Sequence, residues 1–122
     1  MNFGEICELG KYIKTDEKLI EIIKNINLEG LNLKFGTIAS ADRFFKDPNE
    51  APKIRKNFGN SECVEMEGAA IAQVCFLDKV PFIVIRGISD VANGNNKMDF
   101  HEYLKMASQK SANLLKCLIE HI

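Results

Sequence analysis

Three short polar clusters hold the residues of this 122-residue sequence that could do chemistry. In the first, Glu65 and Glu67 flank Met66. If extended backbone continues that far, both carboxylates point the same way, because alternate side chains of a strand share a face. Such a pair can accept hydrogen bonds from the hydroxyls of a sugar. The alternative is that Glu67 only complements the N-terminus of a following helix. The second cluster is Arg86-Gly87-Ile88-Ser89-Asp90, directly after an apolar run. A carboxyl group there would be partly desolvated, which would raise its pKa and keep a proton available for general acid catalysis. Equally, Ser89-Asp90 can start a turn or cap the next element, and Arg86 can pair with a glutamate for structural reasons alone. The third cluster is Ser40-Ala41-Asp42-Arg43-Phe44-Phe45. Adjacent phenylalanines cannot face the same side of an extended segment. Either both are core, or one offers a flat surface to an aromatic ligand.

The elements that must position these clusters follow from periodicity. Thr15 is a plausible N-cap, with Asp16 and Glu17 in the first turn and Leu19, Ile22, Ile23 and Ile26 at helical spacing. Residues 1–13 read as irregular. Leu33 to Ser40 reads as a strand, and a loop bracketed by Pro48 and Pro52 leads to a short helix from about Lys53 to Phe58. A second short strand, Glu62 to Glu65, passes directly into Met66 to Leu77, a helix apolar all round and therefore expected to be largely buried. Val80-Pro81-Phe82-Ile83-Val84-Ile85 suits a strand covered on both faces, as in a parallel sheet. Asp99 and Glu102 resemble a capping box, after which Tyr103, Leu104, Ala107, Leu114, Leu115 and Leu118 form a long amphipathic stripe.

Strands alternating with helices predict one layered α/β/α domain over residues 1–122, with a mainly parallel mixed sheet. In open sheets of this kind ligands bind beyond the carboxyl ends of the strands. Each polar cluster follows a predicted strand, so parallel strands would bring all three to one edge.

Composition narrows the function classes. With 46% hydrophobic and 27% charged residues, the chain has the make-up of a soluble globular protein. A net charge of -1 gives no reason to expect nucleic acid as a partner. The basic cluster Lys53, Arg55, Lys56 reads as a solvated helix face rather than a phosphate patch. No apolar stretch reaches the length of a membrane span, and no signal region opens the sequence. The cysteines Cys7, Cys63, Cys75 and Cys117 form no Cys-x-x-Cys pair, and His101 and His121 lie far from them, so no metal site is expected. Reduced thiols in a cytoplasmic protein are the simplest account.

Several segments together resemble a known family. Val64-Glu65-Met66-Glu67-Gly68-Ala69-Ala70 is similar to the signature of the purine nucleoside phosphorylase and nucleosidase superfamily, and Arg86-Gly87-Ile88-Ser89-Asp90-Val91-Ala92 resembles the other end of its purine site. Gly36 to Asp42 (GTIASAD), Lys53 to Phe58 (KIRKNF) and Val80 to Arg86 (VPFIVIR) resemble the methylthioadenosine/S-adenosylhomocysteine nucleosidases in particular. The similarity runs from about Lys14 to Leu118.

This resemblance implies a partial nucleoside phosphorylase-like fold and hydrolysis of an N-glycosidic bond, releasing adenine and a 5-thio-ribose without metal or organic cofactor. By motif position, Asp90 would be the general acid at adenine N7, oriented by Ser89. Glu67 and the backbone of Met66 would hold the ribose hydroxyls, with Glu65 in support. Phe44 would lie against adenine and the Phe45 backbone against its edge. Arg86 would lie near the ribose and the attacking water, and Phe100 would line the 5-thio pocket. An aspartate at position 90 fits purine-cleaving members rather than uridine phosphorylases, and no phosphate-binding arginine set is evident. The family's homodimers imply self-association.

The same resemblance covers only the family's C-terminal half. A water-activating glutamate and a Gly- and Ser-rich loop of the first half have no equivalent before Thr15. Slow turnover by the isolated chain is therefore expected. A non-catalytic adenosine-binding or self-associating role is the alternative.

Overall fold

The computed structural model describes residues 4–88 and 100–122, Phe100 by its backbone alone. The order of elements is α1 (Glu17–Lys24), β1 (Ile38–Ser40), α2 (Glu50–Asn57), β2 (Cys63–Glu65), α3 (Gly68–Leu77) and α4 (Phe100–His121). The α/β alternation follows the sequence reading as far as α3, with β1 and β2 paired in parallel, but β1 is Ile38–Ser40 rather than the Leu33 to Ser40 expected. Their register sets Ile38 against Cys63, Ala39 against Val64 and Ser40 against Glu65. Both strands therefore end level, and the chain leaves each of them at the same edge.

Helix α1 begins one residue later than expected. Asp16, not Thr15, is the N-cap, and its carboxylate accepts a hydrogen bond from the Leu19 amide at 3.0 Å. A carboxylate there satisfies an orphan amide and meets the positive end of the helix dipole. The Asp16 amide in turn donates to the Phe82 carbonyl at 2.9 Å, which ties the start of α1 to the apolar run 80–85.

Helix α3 ends in a full Schellman motif. The Val80 amide donates to the Cys75 carbonyl at 2.8 Å and the Lys79 amide to the Phe76 carbonyl at 3.2 Å. Lys79 sits at φ 57°, the left-handed region that costs a β-carbon about 1 kcal/mol. Lys79→Gly is therefore expected to stabilise the chain by up to about 1 kcal/mol. A rise in the urea midpoint at unchanged m-value checks it.

Three expectations are corrected. The apolar composition of Met66 to Leu77 predicts a largely buried helix, yet only Gly68 and Ala72 of α3 are buried, while Ile71, Val74, Phe76 and Leu77 are exposed. A helix can be apolar on every side only where every side has a neighbour, and α3 packs on β1 beside a sheet two strands wide. The apolar run 80–85 forms no strand among the described residues, because a strand exists only through a ladder partner. Of the predicted stripe on α4, Leu114 and Leu118 are buried and Tyr103 and Ala107 half-buried, but Leu104 and Leu115 are exposed. It packs on α1, and Gly87 lies against its Tyr103 and Ala107. The predicted cap residue Asp99 lies outside the described residues. Among the described residues the buried apolar core consists of Ile23, Ala39, Ala72, Leu114 and Leu118.

Candidate functional site

The edge where β1 and β2 end holds a dense polar network centred on Glu65. Its carboxylate accepts from the Ser40 hydroxyl, from the Glu67 amide at 3.0 Å and from the Gly68 amide at 2.8 Å. It also forms an ion pair with the Arg86 guanidinium. Ser40 Oγ accepts in turn from the Ala69 amide at 2.8 Å. The first amides of α3 are thus met by one side chain from each strand, as the open N-terminus of a helix requires. Cys63 lies close by, and its burial, with the Glu65 charge adding to it, pushes the thiol pKa up.

This arrangement separates the two glutamates. Complementing the helix N-terminus falls to Glu65, whereas Glu67, the cap residue of α3 by position, makes no capping bond with its side chain. The Glu67 carboxylate instead reaches the Arg86 guanidinium at 2.7 Å and remains 64% exposed. Both carboxylates meet one nitrogen of Arg86, although β2 ends at Glu65 and Glu67 sits at φ -123°, ψ -25°, so the shared cation rather than strand alternation brings them together. The pairing of Arg86 with a glutamate is confirmed and extends to both. Glu67 keeps lone pairs free for hydroxyl donors, while Glu65 is saturated. The same hydrogen bonds hold Arg86 charged, its pKa pushed up chiefly by Glu65.

Partial burial acts to raise the Glu65 pKa, but the bonds from Ser40, the Glu67 amide, Arg86 and the Gly68 amide outweigh it and hold the value at about 2, against an ordinary 4.5. A carboxyl whose pKa is depressed on folding stabilises the fold above its unfolded pKa, and that contribution disappears as pH falls through the folded value. Solvent screening at this partly open site leaves a contribution at neutral pH of about 1–2 kcal/mol. Glu65→Gln is expected to lower stability by this order at pH 7, with the gap from the parent closing between about pH 5 and about pH 2. Urea unfolding at a series of pH values checks it.

The remaining predicted residues are less drawn together. Phe44 is 62% exposed, which excludes the reading of both phenylalanines as core. Phe45 is half-buried with the Arg43 guanidinium 4.6 Å from its ring centre, and Arg43 is paired with Glu50 of α2. Met66 is exposed between the two glutamates. Ser89 and Asp90 lie outside the described residues, as does the side chain of Phe100. Among the described residues, no group of three or more His, Cys, Asp or Glu is placed to hold a metal ion.

Ser40 is the residue that sequence reasoning left without a role. Its signal was its place at the end of a strand within a polar cluster. Its partner Ala69 lies 29 residues away, so only the strand register reveals the bond.

The sequence model of the Phosphorylase superfamily matches residues 7–120. The chain is 38% identical over 122 residues to a 5'-methylthioadenosine/S-adenosylhomocysteine nucleosidase of Bacillus velezensis, covering 98% of this chain and 53% of that protein. It is 35% identical over 121 residues to the enzyme of the same name from Staphylococcus aureus, with the same coverage. Among solved structures, a putative nucleosidase of this kind from Borrelia burgdorferi, bound to adenine, is similar at a TM-score of 0.88 and 38% identity, covering 100% of this chain and 53% of that one. A Campylobacter jejuni nucleosidase is similar at a TM-score of 0.80 and 37% identity, covering 93% and 49%. The chain spans about half the length of the curated relatives it matches.

Proposed function

The chain belongs to the phosphorylase superfamily, and we propose that it carries the adenine- and ribose-binding part of a nucleosidase. The reaction is hydrolysis of the N-glycosidic bond of 5'-methylthioadenosine and S-adenosylhomocysteine. The observation that supports this reading most is the convergence of Glu65, Glu67 and Arg86 at the shared end of two parallel strands. The names of the relatives agree with it.

In this reading Glu67 accepts the ribose hydroxyls beside the Met66 backbone, and Arg86 holds Glu67 from behind. Glu65 supports both by fixing the start of α3. Phe44 offers its exposed ring to the adenine face, the Phe45 backbone meets the adenine edge, and Phe100 lines the 5-thio pocket. Asp90, oriented by Ser89, protonates adenine N7 as the bond to N9 breaks and its electron pair passes into the purine. Water adds to the anomeric carbon and loses a proton, giving free adenine and the 5-thio-ribose. The transition state is oxocarbenium-like, so contacts that strengthen there raise the rate.

Residues 1–122 form one domain in this reading, with 1–13 as its irregular lead-in. Four unbridged cysteines support a cytoplasmic setting. The exposed apolar residues of α3 and α4 support self-association as a homodimer, and the reaction would serve methionine salvage. Among the described residues no helix is long and apolar enough to cross a membrane.

Calorimetric titration tests the ribose contact. Glu67→Gln is expected to weaken methylthioadenosine binding about tenfold, from loss of charge-assisted hydrogen bonds, and to leave adenine binding unchanged. Equal weakening of both ligands would remove Glu67 from the ribose site.

A further inference from the structure

Ser40 belongs to the polar network, yet the proposed function gives it no task. Its hydroxyl is held from both sides: Oγ accepts from the Ala69 amide at 2.8 Å, which turns its single proton toward the Glu65 carboxylate. That proton goes to Oε1, which otherwise has only a share of the Gly68 amide, whereas Oε2 receives Arg86 and the Glu67 amide. The two oxygens lie in one rigid plane, so fixing Oε1 also aims Oε2. From Oε2 the contacts run on through Nη2 of Arg86, which donates to Oε2 of Glu67 at 2.7 Å. Glu67 lies beyond the end of β2, its carboxylate is 64% exposed, and it makes no capping bond. Its orientation therefore depends on Arg86, and that of Arg86 on Glu65. Burial acts to raise the Glu65 pKa, and the Ser40 bond leads those that bring it down to about 2, so the same hydroxyl keeps Glu65 charged for Arg86.

We propose that Ser40 is a positioning residue for sugar recognition: through Glu65 and Arg86 it sets the direction in which Glu67 presents its lone pairs to the ribose hydroxyls. This role rests on the reading in which Glu67 is the ribose contact. The purine side is insulated from it. The segment that carries Phe44 and Phe45 leaves β1 through Ala41, whose amide donates to the Glu65 carbonyl at 2.9 Å. That main-chain bond survives any change of the Ser40 side chain, so Ser40 governs one half of the substrate and not both.

Calorimetric titration of the 122-residue chain with 5'-methylthioadenosine and with adenine tests this role. Ser40→Ala is expected to weaken methylthioadenosine binding about threefold to tenfold, the range of one hydrogen bond, and to leave adenine binding unchanged. Ser40→Thr keeps the hydroxyl and is expected to restore the parent value. In a Glu67→Gln background Ser40→Ala is expected to cause no further loss, because the group it positions has already lost its charge. A residue that only capped α3 would weaken both ligands alike, or add its loss to that of Glu67→Gln. Circular dichroism confirms the helices of each variant, and Ser40→Cys, a weaker donor of similar size, serves if Ser40→Ala does not fold. Unchanged methylthioadenosine binding in Ser40→Ala, equal loss for both ligands, an additive loss in the double variant, or no rescue by Ser40→Thr each overturns the proposal. Two failures stay apart. A parent that does not bind methylthioadenosine, or Glu67→Gln without effect, removes the ribose reading and the role of Ser40 with it. A loss in Glu67→Gln with none in Ser40→Ala removes the role of Ser40 alone.

Discussion

Asp90→Asn is expected to lower adenine release from 5'-methylthioadenosine by about 10²–10⁴-fold, the range contributed by a positioned general acid. The loss falls on kcat, with KM little changed, because a proton passed to N7 matters only as the glycosidic bond breaks. Asparagine keeps the shape of the side chain and removes the transferable proton. A riboside with p-nitrophenol as leaving group needs no such proton, so parent and variant are expected to cleave it at similar rates. Steady-state kinetics with the two substrates checks this directly. Equal losses on both would make Asp90 a structural residue.

Leu114→Ala is expected to destabilise the fold by about 2–5 kcal/mol. Leu114 is 2% exposed and is the largest fully buried side chain among the described residues. It lies on the side of α4 that packs toward α1, whose own buried residue is Ile23. Deleting its branched end leaves a cavity that the few core residues around it can only partly close. Small domains are stable by about 5–15 kcal/mol, so the loss is a large share of the total. The adjacent Leu115 is 51% exposed and makes an internal control, with Leu115→Ala expected to cost within about 0.5 kcal/mol. Urea unfolding of the two variants measures the contrast.

The features legible in the sequence were local ones. Leu19, Ile22 and Ile23 place α1 because helical spacing is a property of neighbours in sequence, and only the cap moved, from Thr15 to Asp16. The Glu65-Met66-Glu67 step from strand to helix was legible, and so was a pairing of Arg86 with one glutamate, but not its pairing with both, because the strand ends at Glu65 and the backbone turns before Glu67. The division of labour between the two glutamates was not. It depends on Ser40 and on the first amides of α3, brought together by a ladder that pairs residues 25 positions apart. Residues 80–85 and the outer side of α3 show the limit from the other direction. Their composition predicts burial by neighbours that the described residues do not supply, so the apolar pattern is correct about the cover that surface needs and silent about its source. Phe44 is exposed for a related reason: two adjacent phenylalanines cannot both turn inward from an extended segment, and the sequence alone does not say which one does.

The reaction proposed for the site is hydrolysis rather than phosphorolysis. The most direct measurement is the sugar product formed from 5'-methylthioadenosine, with and without inorganic phosphate, by the chain completed with the unmatched half of a relative. Free 5-methylthioribose, formed at a rate that does not depend on phosphate and is suppressed by Asp90→Asn, is the predicted result. A sugar 1-phosphate formed only when phosphate is present would contradict it.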